Sequence, residues 1–458
     1  MTEEKTLKKI RSGLFDRSLS LTKLAVQSGA HLAMNGIKGA FTDSDGRDQN
    51  FKALMNVQAR LLTSELGRLK GSLMKVGQML ALYGEHFLPE EVVAQLKMLN
   101  EQSITVEWKE IERLIKERLS PEAIAELKID TKPLAAASMG QVHRAVVIAT
   151  GEEVCLKVQY PGVEEAVDSD VKALRSILSL LKLMPTNNSA FDELFEEIRS
   201  MLHQELDYHK EMAFTEEARG LVASDVRFVI PRTYPRYSAE RILTTSYEHG
   251  VNIDSPEVLA LSVERRSAIA VAFCQMFMRE LFEFRMMQTD PHFGNFKIRI
   301  GETNDQIVLL DWGAVRRFEA DFLKIYRKMI DGSLEKDSAK VLNAAYDIGF
   351  LNRDASEKTR EAFTEICFMA VEPWLPPQDP RVPSVLIDRN GCYMWSKSDL
   401  PTRIATLAAK YALSFKAKAP PREVLFLDRK IGGIFIMMKV LDARFEGHKV
   451  LKEHFHKM

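Results

Sequence analysis

Gln288-Thr289-Asp290-Pro291-His292-Phe293-Gly294-Asn295, followed by Leu309-Leu310-Asp311-Trp312-Gly313, is the stretch on which the reading of this chain turns. The first piece sets a carboxylate and a carboxamide five positions apart on a segment broken by proline and glycine. Such a segment is neither helix nor strand throughout. The second piece sets a carboxylate at the end of the apolar run Ile307-Val308-Leu309-Leu310, which reads as a short buried strand. Two descriptions fit these turns: polar residues that cap a strand, and oxygen ligands that hold a metal ion. The rest of the chain decides between them.

Composition sets the outer limits. At 458 residues the chain buries one large core or two to three smaller domains. With 46% hydrophobic and 28% charged residues it is an ordinary soluble composition, and a net charge of −1 gives no reason to expect nucleic acid. Cys155, Cys274, Cys367 and Cys392 are scattered without C-x-x-C spacing, which argues for a reducing compartment and against zinc or a disulfide framework. No run reaches the roughly 18 apolar residues of a membrane span. The start carries no apolar signal core, so the expectation is a cytoplasmic protein. Residues 6–40 read as a basic amphipathic helix, which either docks on the protein's own core or lies peripherally on a bilayer.

Upstream of the opening stretch, Leu66, Leu69, Leu73, Val76 and Leu80 fall at helical spacing. Gly67, Gly71 and Gly77 interrupt that helix, each at a cost of about 1 kcal/mol against alanine. They point either to a close backbone approach or to a weak helix. Lys75 and Gln78, three apart, share one face, which by composition is a solvated one. A second helix starts near Pro89. Residues 127–159 read mainly as strands. Within them Ala135, Ala137, Gly140 and Val142 occupy the positions of a G-x-G-x-x-G-x-V phosphate loop, with alanine at the first two glycines. The next strand, Val154-Cys155-Leu156-Lys157-Val158, carries one lysine in an apolar run, and such a lysine finds an anion or leaves the core. After a helix from Val163, a further helix from about Phe191 carries Glu205, Asp207 and Glu211, with the last two on one face. That face is either a surface acidic stripe or one with cationic or metal partners. Arg241–Tyr247 reads as a strand, and the chain from Gly250 is mostly helical.

In chain order these make a phosphate-type loop, a strand lysine, an acidic helix, a hinge-like strand, a D-x-x-x-x-N loop and a D-x-G strand, the order found in protein kinases. The details are more specific. Lys75-Val76-Gly77-Gln78, the alanine loop Ala135-Ala136-Ala137-Ser138, Glu205-Leu206-Asp207 and Asp290-Pro291-His292-Phe293-Gly294-Asn295 together resemble the UbiB/ADCK (AarF-type) atypical kinase family. By motif the resemblance covers roughly residues 60–320.

The resemblance implies an α+β, protein-kinase-like two-lobe fold. A family-specific helical extension with K-x-G-Q would fill residues 1–126, a kinase-like N-lobe 127–249 and a helical C-lobe 250–458. It further implies that Lys157 is the nucleotide-binding lysine, Glu211 the glutamate paired with it and Asp290 the catalytic-loop aspartate, with Asn295 and Asp311 as metal ligands. Ala135, Ala136, Ala137, Ser138, Gly140 and Val142 would line the nucleotide. Lys75, Gly77 and Gln78 would form a lid facing Glu205 and Asp207, in the space a protein substrate needs. The function implied is an ATP-binding atypical kinase or ATPase, with ATP/ADP and Mg2+, in isoprenoid-quinone (coenzyme Q) or related lipid metabolism. Its substrate would be a small molecule or lipid, its partners quinone-biosynthesis proteins, and protein phosphorylation is not expected. The alternative is a nucleotide-gated, non-catalytic module that binds lipid or protein. Alanine in place of glycine adds a Cβ and removes positive-φ freedom, so the loop holds phosphates less adaptably. The chain departs from the family pattern at Trp312, where kinases usually have phenylalanine, at Phe293, in place of a common proline, and at Ser246, where a hinge glutamate is frequent.

Overall fold

The structure, a computed structural model, describes residues 5–7, 75–77, 79–80, 93, 96, 104–137, 139–180, 189–415 and 422–455. The chain divides into two units, Met1–Ala213 with Arg232–Tyr247, and Phe214–Pro231 with Glu248–Met458.

In the first unit, β1 (Lys5–Leu7) pairs in parallel with β2 (Ile104–Val106). Thr6 and Leu7 are thus strand where the start of a helix was expected; the rest of 6–40 lies outside the described residues. Helix α1 (Trp108–Arg118) follows β2, burying Ile111, Leu114 and Ile115. The main sheet has the order β3 (Leu127–Ile129), β5 (Gly140–Val147), β6 (Glu153–Gln159), β8 (Ile242–Ser246), with β4 (Ala135–Ala137) also paired to β5; β7 (Phe228–Val229) belongs to the second unit. Period two builds the sheet: Val154, Leu156 and Val158 of β6 are fully buried, and Cys155 and Lys157 take the other face. β5 and β6 form a long antiparallel ladder in which Val142 faces Lys157. Helices α2 (Val163–Leu180) and α3 (Ser189–Leu206) belong to this unit, as does the start of α4 (Tyr208–Leu221), whose residues from Phe214 on belong to the second.

In the second unit, α5 (Val263–Met278) is buried along most of its length and continues into a π-helical turn, Arg279–Glu283. Next come four short strands, β9 (Met286–Gln288), β10 (Phe296–Arg299), β11 (Gln306–Leu309) and β12 (Val315–Arg317). β10 pairs antiparallel with β11, which pairs in parallel with β7, and β9 pairs antiparallel with β12. The pairings are nested, so the loop between β9 and β10 and the turn between β11 and β12 lie side by side. The remaining chain is mostly helical, with α6 (Ala320–Glu335), α7 (Ser338–Ile348), α8 (Glu357–Ala370), α9 (Leu400–Phe415), α10 (Arg422–Val440) and α11 (Gly447–Phe455), and one antiparallel pair of two-residue strands, Tyr393–Met394 with Arg444–Phe445. Among the described residues, no helix is long and apolar enough to cross a membrane.

Candidate active site

Two groups of the singled-out residues come together, one in each unit. In the first unit, Lys157 Nζ donates to both carboxylate oxygens of Glu211, at 2.7 and 3.0 Å, and lies 5.3 Å from the centre of the Tyr208 ring. The Glu211 side chain is 3% exposed and that of Lys157 17%, so the pair sits largely out of water. Bidentate contact fixes the direction of a long, otherwise mobile ammonium.

The alanine segment is a hairpin arm. Ala135, Ala136 and Ala137 face Val142, Gln141 and Gly140 across β4 and β5. Gly140 is required there by packing: a Cβ would lie 2.4 Å from the Val158 carbonyl oxygen. Ser138, at the turn, lies outside the described residues.

Lys75 is paired with Glu205 at 2.9 Å, and Gly77 is buried; Gln78 lies outside the described residues. Glu205, Asp207 and Glu211 do not share one helix. α3 ends at Leu206, whose carbonyl accepts from the Gln159 side chain at 2.5 Å, and α4 starts at Tyr208. Asp207 sits in the break and caps α4, its Oδ1 accepting from the Lys210 backbone N–H at 3.0 Å. An aspartate is worth more at a cap than inside a helix, which is why the chain breaks here. Burial pushes the Asp207 carboxyl up, but the Lys210 N–H and ammonium outweigh it and hold the group below the usual carboxylate range.

In the second unit the nested strands bring the opening stretch together. Thr289 donates from its N–H to the Ala314 carbonyl at 2.8 Å, and the Leu310 N–H donates to the Asn295 carbonyl at 2.9 Å. Asn295 and Asp311 are thereby neighbours across the two turns. The Asn295 amide donates to the Asp290 backbone carbonyl at 3.2 Å and to its Oδ2 at 3.1 Å. That leaves the Asn295 carbonyl oxygen as the atom it can offer to a cation. Asp311 Oδ1 accepts from the Gly313 N–H at 2.8 Å, closing the D-x-G turn. Trp312 is 2% exposed and fills the core behind it.

A carboxamide and a carboxylate oxygen are hard donors that suit Mg2+ and do not suit zinc. Among the described residues, no group of three or more His, Cys, Asp or Glu could hold a metal ion. Few protein ligands is what Mg2+ needs where nucleotide phosphates and water complete its shell.

Sequence reasoning missed helix α10. Arg429 donates to Asp290 Oδ1 at 2.7 Å. Gly433 lies so close to Pro291 that an added Cβ would meet the proline Cβ at 2.1 Å. Lys430, 6% exposed, reaches Glu280 and the Gln288 carbonyl. One signal was present: Lys430 stands in an apolar helical face with Leu427, Ile434 and Met437, the same anomaly that marks Lys157 in its strand.

Comparison with known proteins accords with this geometry. The probable serine/threonine-protein kinase abkA of Dictyostelium discoideum is 28% identical over 98% of this chain and 80% of that protein. The atypical kinase COQ8B, mitochondrial, of Danio rerio is 29% identical over 86% of this chain and 60% of that protein. A solved structure described as the complex structure of Rv3197-erythromycin from Mycobacterium tuberculosis aligns with a TM-score of 0.56 and 21% identity, over 89% of this chain and 98% of that one. That likeness bears on the fold alone, which is the expected α+β, kinase-like one. The functional class expected from the sequence, an atypical kinase, is the one that the names of the COQ8 relatives carry. Residues 98–345, more than half of the chain, match the ABC1 atypical kinase-like domain, and this protein belongs to that family, the UbiB/ADCK kinases that its motifs resemble.

Proposed function

We propose that this protein binds ATP with Mg2+ and cleaves the terminal phosphoanhydride, passing the phosphoryl group to a small or lipidic acceptor or to water. Lys157, oriented by Glu211, and the hairpin from Ala135 to Val142 take the phosphates. Asn295 and Asp311 take the metal, which when bound draws charge from the phosphate oxygens. Asp290 orients the acceptor. The observation that carries this reading is the Lys157–Glu211 pair: a buried, bidentate ion pair aims one ammonium in a fixed direction, as phosphate recognition requires. Lys75 held by Glu205 supports a lid in place of a protein-substrate surface. The COQ8 names of relatives support isoprenoid-quinone or related lipid metabolism as the setting, with quinone-biosynthesis proteins as partners. We place the protein in a reducing compartment, in keeping with its four free cysteines, and at the periphery of a membrane, which cell fractionation checks.

Thermal stability measured with and without MgATP tests the reading. The native protein should gain several degrees, and Asp311→Asn should lose that gain with Mg2+ while keeping the smaller response to metal-free ADP. No nucleotide-dependent stabilisation of the native protein would sink the proposal. A metabolite and lipid comparison between a deletion strain and an Asp311→Asn strain then identifies the pathway affected.

One observation favours a second reading, in which nucleotide sets the shape of a lipid- or protein-binding surface without turnover. Both Asp290 carboxylate oxygens already accept a hydrogen bond, Oδ1 from Arg429 and Oδ2 from Asn295, so an acceptor hydroxyl has to share an oxygen that the protein itself holds. Full biological activity of Asp290→Asn would decide for this second reading.

A further inference from the structure

Behind the Asp290 loop lies a second lysine–glutamate pair, with no ligand role in the reading above. Glu280, on the π-helical turn that ends α5, is 1% exposed, and Lys430 on α10 is 6% exposed. Their nearest charged atoms are 2.9 Å apart. Lys430 Nζ and Glu280 Oε2 thus form a buried ion pair. Burial is the leading influence on Glu280 and pushes its carboxyl up against the pull of Lys430. Buried pairs of this kind are weak stabilisers, and apolar residues of equal volume serve a core as well or better. What an apolar pair could not supply is a donor and an acceptor for the neighbouring backbone.

That backbone is Gln288, the last residue of β9. Lys430 Nζ donates to the Gln288 carbonyl at 2.8 Å, and the Gln288 N–H reaches Glu280 Oε1 at 3.4 Å. The Gln288 side chain then donates to the Asp290 carbonyl at 2.8 Å, the same oxygen that accepts from Asn295. One turn along α10, Gly433 admits Pro291 against the helix. The chain of contacts thus runs from Glu280 and Lys430 through Gln288 to Asp290 and Asn295, and every link is inside the second unit.

We propose that Lys430 and Glu280 are positioning residues for the Asp290 loop, acting through the N–H and C=O of Gln288. The proposal rests on the reading of Asp290 as the acceptor-orienting residue. The contacts of the pair run to Gln288 and not to the residues read as nucleotide or metal ligands, so it sets the rate of the reaction and not the affinity for nucleotide. Misplacing a reacting group by about 1 Å costs on the order of 100-fold in rate.

The test uses the full-length protein and the double variant Lys430→Met/Glu280→Gln, which removes both charges together. ATP turnover should fall about 100-fold in kcat with KM for MgATP unchanged within about threefold. Hydrogen exchange of the amides of residues 289–295 should rise, with the sheet of the first unit unaffected. A folded double variant with native kcat and native exchange in that loop overturns the proposal. A parallel loss of nucleotide affinity also overturns it, because a general structural role would produce that. If the double variant does not fold, Gln288→Met leaves the ion pair and its contacts with the Gln288 backbone in place. It removes the side-chain link to the Asp290 carbonyl together with the 3.5 Å contact from Lys430 to the Gln288 side chain. It should lower kcat about tenfold at constant KM, and an unchanged kcat there is equally decisive. Should the native protein show no turnover, the reading of its function fails, and hydrogen exchange still decides whether the pair holds the loop.

Discussion

A lysine–glutamate pair in each unit closes to almost the same distance in different surroundings. Lys157 meets Glu211 at 2.7 Å and Lys430 meets Glu280 at 2.9 Å. In the first pair both carboxylate oxygens bind the ammonium, and the lysine side chain keeps 17% of its surface exposed. In the second the lysine is 8% exposed and spends a donor on a backbone carbonyl. A lysine gripped at both carboxylate oxygens, with part of its side chain still exposed, can be aimed at a ligand. A lysine that holds the main chain of the Asp290 loop, with its side chain buried, is part of the scaffold. The same two residue types therefore serve ligand and architecture, and exposure together with the main-chain contact tells them apart.

Single substitutions blur this contrast, and paired ones sharpen it. Lys430→Met alone leaves Glu280 buried without its cation and should cost about 3–5 kcal/mol of stability, read by chemical denaturation. Adding Glu280→Gln should recover most of that loss. In the first unit, Lys157→Met/Glu211→Gln should likewise fold. It should lose MgATP-dependent stabilisation entirely and turnover by about 100-fold or more. If both double variants lose nucleotide binding alike, or both keep it, the distinction between a ligand lysine and a scaffold lysine is wrong.

What could be read in advance follows from how local each interaction is. The strands around Lys157 were legible because Val154, Leu156 and Val158 alternate with polar or small residues over one short run. Asp290, Asn295 and Asp311 were legible as oxygen donors because proline, glycine and an apolar strand frame them. That the two turns lie side by side was implied by the family resemblance alone and not by local pattern. It depends on β9 pairing with β12, three-residue strands too short to announce themselves. The break between α3 and α4 was hidden because apolar periodicity runs on through it, and the Asp207 cap shows only once Gln159 is seen on the Leu206 carbonyl. Arg429, Lys430 and Gly433 act on a loop far away in sequence, from a helix whose pattern is ordinary except for one misplaced lysine.

A smaller effect tests the hairpin in the first unit. Its glycine-to-alanine pattern invites the thought that Gly140 too is a matter of phosphate binding. The packing says otherwise, since the clash would be with the Val158 carbonyl of the adjacent strand. Gly140→Ala should cost about 1–3 kcal/mol even without nucleotide, measured on the apo protein by denaturation. A variant as stable as native but weak in ATP binding would return Gly140 to the ligand.

The smallest expected effect concerns Asp207, which the family resemblance assigns to the lid and the structure shows as a helix cap. The two roles separate by substitution and by pH. Asp207→Ala should cost about 1 kcal/mol at neutral pH, whereas asparagine caps as well as aspartate, so Asp207→Asn should be close to native in stability. The folded-state carboxyl titrates below its ordinary value, so its ionised form contributes stability above the usual carboxylate range. That contribution fades as pH falls through the lowered value, and the gap between native and Asp207→Ala should close there. Asp207→Asn should keep its stability over the same acid range, because its cap carries no charge to lose. If Asp207→Asn is stable yet changes ATP turnover or its response to lipid, the carboxylate has a second duty beyond the cap. If stability and turnover both stay native, capping is its whole role, and the lid is left to Lys75 and Glu205.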